Sequence, residues 1–185
     1  MRFPSFVEAW TRKKLKDVCF INPKNNYQIP DSFLYIDLES VKSGNLIKEQ
    51  IINRENAPSR AQRCLENNDI LYSCVRPYQH NNFIYRKPER AVASTGFALL
   101  RNQLSSGFLY CLIDSKKFEI KVMNRCTGTS YPAINTSDLS NIEVFYPNNN
   151  EQETIGKFIC KVNQRIKTQN KIICPYFSLI FFICF

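Results

Sequence analysis

Apolar residues come in short runs over the first 147 positions and in a helical rhythm after them. The short runs are "FLYIDL" (33–38), "NLIKEQII" (45–52), "DILYSCV" (69–75), "NFIYRK" (82–87), "GFALLR" (96–101) and "NIEVFYP" (141–147). Each is rich in β-branched and aromatic residues and bounded by Asn, Gly, Pro or Ser, which predicts strands. "KSGN" (42–45) predicts a turn between the first two. "APSRAQRCLEN" (57–67), with Pro58 near its start, predicts a short helix. "GFLYCLIDSKKFEIKVMN" (107–124) predicts helix broken near Asp114 and Ser115.

Beyond Pro147, Ile155, Ile159, Val162, Ile166, Gln169 and Ile173 alternate by fours and threes, apolar at all but Gln169. That spacing predicts a coiled-coil-type seam. Asn150 is placed to cap this helix, with Glu153 completing a capping box and Glu151 favouring the positive end. From Glu151 to Ile173 the helix would run about 35 Å. Pro175 is expected to end it, and the greasy "YFSLIFFICF" that follows is too short to cross a bilayer. The fold expected is mixed α/β (α+β): a globular domain with a mixed sheet and short helices over 1–147, a long helix over 148–174, and a hydrophobic tail over 175–185.

Charge narrows the function. Lys and Arg number 25 against 16 Asp and Glu, for a formal charge of +9, and that excess favours a polyanionic partner. The cysteines stand at 19, 64, 74, 111, 126, 160, 174 and 184 with no C-x-x-C pair, and the chain has one histidine, so no zinc motif is predicted. Cys19, Cys74, Cys111 and Cys160 lie in apolar runs, as buried thiols do. "MRFPSFVEAW" has no apolar core of a signal peptide, and a reduced, cytoplasmic protein is expected. Nucleotide-binding glycine motifs, metalloprotease and nucleophile-elbow motifs are absent, and the carboxylates form no two-metal cluster. Cys74 and His80 would need a fold-back to form a thiol–imidazole pair. No catalytic residue, metal or cofactor is predicted.

Recognition chemistry remains. Arg76 can present a bidentate fork to guanine, and Gln79, Asn81 and Asn82 can do the same for adenine. Tyr78 and His80 complete that segment, and Tyr78 can meet sugar or phosphate. A second polar loop offers Thr127, Thr129, Ser130 and Tyr131 around Gly128. Arg60 and Arg63, one turn apart on the predicted helix, form a basic ridge suited to phosphates.

The order of these segments resembles a known family, the specificity (S) subunits of type I restriction–modification enzymes. "WTRKKLKDVC", "FLYIDLESVKSGNL", "NNDILYSCVRP", "STGFALLR", "FLYCLIDS", "TGTSYPAINTSDLSNIEVFYP" and "NEQETIGKFICKVNQRIKTQNKII" follow in the family's sequence, with Asn68 where the family usually has Gly. The resemblance covers about residues 10–173. It implies a DNA-reading subunit without chemistry of its own, whose target recognition domain faces DNA with the 76–82 and 127–131 loops. Partner methyltransferase subunits would bind S-adenosylmethionine, and a restriction subunit would join them. Complete members carry two recognition domains and two such helices; this chain carries one of each. Pairing of two copies through the 155–173 seam would then read a symmetric bipartite site. The tail departs from the family, as a truncation or frame change would make it. The alternative from another class is a protein-interaction module that docks a partner through its helix and tail.

Overall fold

The computed structural model describes residues 3–102 and 105–183, but not the side chains of 167 and 170–183, and Ile173 of the predicted seam lies among the latter. In chain order the strands and helices begin with β1 (Thr11–Lys14), β2 (Phe20–Ile21), β3 (Ser32–Ile36), β4 (Val41–Lys42), β5 (Asn45–Leu46) and β6 (Gln50–Asn53). Then come β7 (Ala61–Cys64), β8 (Ile70–Ser73), β9 (Phe83–Ile84), β10 (Ala91–Ser94) and β11 (Phe97–Arg101). The helical part holds α1 (Ser106–Ile113), α2 (Lys116–Met123), α3 (Thr136–Ser140), the strand β12 (Glu143–Tyr146) and α4 (Asn149–Ile183).

Two four-stranded sheets, ordered β6-β3-β10-β7 and β2-β11-β8-β9, pack face to face. The first is mixed, with β3 and β10 parallel and its other pairs antiparallel. Strand periodicity fixes the layers. Leu71, Phe97 and Leu99 face Leu34, Ile36, Ala91 and Ala93 across the sandwich. Ile70, Tyr72, Ala98 and Leu100 face the other way, onto Leu109, Ile113, Phe118 and Val122 of α1 and α2. Strands covered on both faces read as continuous apolar runs, which is why these were legible in sequence. The helical stretch breaks where expected: Ser115 caps α2 by accepting from Phe118 N at 3.3 Å.

The segment predicted as a helix over 57–67 is instead β7. Its pairing with β10 carries a bulge, Val92 opposite Cys64 and Ser94 opposite Ala61, which brings two residues three apart onto one buried face. A bulge thereby imitates helical spacing. The run over 45–52 splits into β5 and β6, and the four small buried residues of β10 gave no strand signal.

α4 starts earlier than predicted. Asn148, not Asn150, is the cap, its Oδ1 accepting from Glu151 N at 2.9 Å. Glu153 pairs with Lys157 one turn on, at 2.9 Å, rather than closing a capping box. Glu151 accepts from Trp10 Nε1 at 3.0 Å, and Gln152 donates to Pro147 O at 2.9 Å, so the first turn is bolted to the domain. Gly156 then crosses α1 so closely that a Cβ there would meet Phe108 N at 2.8 Å. Every side chain from Cys160 to Ile166 is exposed. Cys160 is therefore not the buried thiol its apolar run suggested. The helix also continues through Pro175, where a stop was predicted; the missing N–H removes one rung of the ladder, which resumes beyond it.

Candidate nucleic-acid interface

The chain leaves β8 at Ser73 and is at once tied to a segment sixty residues later in sequence. Ile134 N donates to Cys74 O at 3.0 Å and Arg76 N to Pro132 O at 2.8 Å. Thr127 and Ala133 exchange both backbone bonds at 2.9 Å, closing the 127–133 loop, and Gly128 turns it at φ +85°. The two loops expected to face a ligand are thus one surface. Neither contains an acidic residue.

Arg76 joins them. Its backbone is left-handed, φ 49° and ψ 54°, a conformation that costs a non-glycine residue on the order of 1 kcal/mol or more. Its guanidinium carbon lies 4.0 Å from the centre of the Tyr131 ring, a cation–π stack that spans the two loops. Pro77 is buried and opens a 3-10 turn to Gln79, so that Tyr78 and Gln79 stand exposed at its tip. His80, again left-handed at φ 51°, ends the turn.

Below the tip the polar residues hold the loop rather than face solvent. His80 Nδ1 is 3.1 Å from Asp114 Oδ1 and Nε2 is 3.0 Å from Glu119 Oε2. Lys116 Nζ donates to the other oxygen of Glu119 at 2.6 Å. Lys116 foremost, then His80, hold the Glu119 carboxyl below its ordinary range. Asn82 is 1% exposed; its Oδ1 accepts from Ser73 N and its Nδ2 donates to Asp114, both at 3.0 Å. Asn82 was expected to read bases, and its amide is not accessible for that. Asn81 is half-buried and accepts from Ser43 N at 3.2 Å.

Arg60 and Arg63 reach the same end of the sandwich, but not as a helical ridge. Thr95 N donates to Arg60 O and Cys74 N to Gly96 O, so the β10–β11 turn separates Arg60 from the loops. Arg60 is exposed. Arg63 is half-buried, donates through Nε to Phe97 O at 2.9 Å, and burial lowers its pKa. It fastens the turn and is not a free phosphate ligand. Sequence reasoning missed the supports Asp114, Lys116 and Glu119, because nothing local marks residues that act on a loop more than thirty positions away.

A thiol enzyme does not fit. Burial pushes the Cys74 thiol up to about 11, and both His80 nitrogens face carboxylates. Among the described residues no group of His, Cys, Asp or Glu is arranged to hold a metal ion, and no helix is long and apolar enough to cross a membrane.

Known proteins resemble the chain in sequence and fold. The profile of the type I restriction modification DNA specificity domain matches residues 7–173. The HindI specificity subunit of Haemophilus influenzae is 22% identical over 173 residues, which take in 90% of this chain and 38% of that subunit. The HsdS subunit of Thermoanaerobacter tengcongensis shares the fold with a TM-score of 0.73 at 24% identity, over 92% of this chain and 46% of that one. A chain from a structure on complex assembly and conformational transition of the type I R-M system gives a TM-score of 0.73 at 25% identity, over 89% and 44%. The chain spans less than half the length of each of these relatives.

Proposed function

The chain belongs to the family of type I restriction–modification DNA specificity domains, whose part in such systems is DNA recognition without catalysis, and from that premise we propose that it reads one half of a bipartite DNA site through the joined 76–82 and 127–133 loops. One observation carries this reading: backbone bonds and the Arg76–Tyr131 stack merge two acid-free polar loops into a single exposed face on a rigid sandwich. The free recognition set is then Arg60, Arg76, Tyr78, Gln79, Thr127, Thr129, Ser130 and Tyr131, with His80, Asn81, Asn82 and Arg63 holding it in place. The net charge of +9 draws the face to duplex DNA and makes binding steeply salt-dependent.

In the proposal α4 serves as spacer and pairing element. Val162 and Ile166 are 39% and 48% exposed, and Ile155 and Ile159 on the same stripe are half-buried. Gln169, which is exposed, and Ile173 follow in the same spacing in sequence. The exposed apolar positions Val162 and Ile166 support pairing with a second such helix. Methyltransferase subunits carrying S-adenosylmethionine, and a restriction subunit, would assemble on this scaffold in the cytoplasm and supply the chemistry the chain itself lacks.

Co-expression with an adenine-methyltransferase subunit of such a system, followed by mapping of methylated adenines in the host DNA, tests the reading. Methylation confined to one bipartite motif supports it. Co-purification without any sequence preference would favour an interaction module instead.

A further inference from the structure

Arg76 differs from the arginines that the domain holds in ion pairs. Arg12 pairs with Glu143, Arg54 with Asp31, and Arg101 with Asp69 and Glu66. No carboxylate pairs with Arg76, and its Nε is buried without any hydrogen-bond partner among the described residues. With Nε buried, the edge that can offer two parallel donors to a ligand is the outer one, formed by the two terminal nitrogens. The Tyr131 ring, 4.0 Å below, fixes the plane of that fork. The left-handed backbone at φ 49° fixes its root. A strained, stacked and unpaired arginine is a group oriented for something outside the chain.

We propose that the Arg76–Tyr131 pair is a guanine reader: the outer edge of the Arg76 guanidinium donates two parallel hydrogen bonds to O6 and N7 of one guanine in the major groove of each half-site. The inference rests on the DNA-recognition reading above. The fork has only donors, so it needs two acceptors side by side. Among base edges in the major groove guanine alone offers them. A phosphate also offers two acceptors and can take the same fork, but it carries no sequence information, so selection of a motif separates the two. Here the protein fixes a plane, which matters for a base edge. Exposed Tyr78, Gln79, Thr129 and Ser130 flank the fork and are placed for neighbouring base pairs and backbone.

Selection from a pool of random duplex DNA with the purified full chain separates these possibilities. The wild-type chain should enrich a motif with an invariant guanine. Arg76→Ala should leave the rest of the motif in place and lose that guanine, with discrimination at the position falling about ten- to hundred-fold. Arg76→Lys keeps the charge and the backbone demand, so it folds as the wild type does, and should lose the same guanine. Tyr131→Leu should relax that position in part. The idea is overturned if Arg76→Lys retains the wild-type motif, or if Arg76→Ala weakens all sequences evenly and lowers the salt slope by about one, the mark of a phosphate contact. A wild-type motif without an obligatory guanine overturns it while leaving the DNA-recognition reading intact. A wild-type chain that enriches no motif overturns both.

Discussion

Asn82 sits among side chains suited to base edges, yet its amide turns inward to Ser73 N and Asp114. Asn82→Ala would leave the buried Ser73 N–H without an acceptor, at a cost of roughly 1–3 kcal/mol. Thermal unfolding should show a melting temperature lower by roughly 2–10 °C, whereas Gln79→Ala at the exposed tip should shift it by no more than about 2 °C. Glu119 adds a pH signature. Lys116 and then His80 depress its pKa, so its contribution is full above its ordinary value of 4.5 and is lost as pH falls through the lower folded value. The stability gap between wild type and Glu119→Gln should therefore be present at pH 4.5 and close as pH falls below it, as melting curves from pH 3 to 5 would show; a gap that persists at the acid end refutes this role. Composition identified the loop as polar. It could not divide readers from supports, because Asp114 and Glu119 lie 34 and 39 residues from His80 in sequence.

The strands of the inner sandwich were legible because burial on both faces leaves uninterrupted apolar runs such as "ILYS" and "FALL". β7 was not, because its bulge places Ala61 and Cys64 at helical spacing on one face, and only the partner strand β10 distinguishes the two. β1, "TRKK", was missed for the opposite reason: all four residues are exposed, and pairing with β12 alone makes it a strand. The α1–α4 crossing was equally hidden, since Gly107 and Gly156 belong to separate segments. Two opposing effects meet at Gly156. Alanine would favour the helix by about 1 kcal/mol. Its Cβ would press on backbone at 2.8 Å, overpacking that costs about 1–3 kcal/mol. The contact prevails, so Gly156→Ala should destabilise by on the order of 1 kcal/mol and tilt α4 away from α1. Gly107→Ala, with its nearest contact at 3.3 Å, should lie near neutral, and denaturant melts of the two variants give the comparison.

For the whole molecule, the proposed reading assigns one recognition face to one half-site, and the chain spans less than half the length of its relatives. In that proposal a second copy supplies the second face. α4 is fastened at its base by Trp10, Gln152 and Gly156 and offers Val162 and Ile166 beyond, so the free part of the stripe is the part that can reach a partner helix. A two-fold pair of copies places the faces at opposite ends in inverted orientation, and the site they read is then an inverted repeat. Ile166→Asp puts a charge into that seam without entering the core of the sandwich, because Ile166 is 48% exposed and belongs to none of its buried clusters. Light scattering should show wild-type dimers and Ile166→Asp monomers with the same melting temperature. Methylated-motif mapping with the wild type should return a palindromic bipartite motif, and with Ile166→Asp none. A variant that remains dimeric removes the helix as the pairing element, and an asymmetric motif from the wild type assigns the second half-site to a different chain.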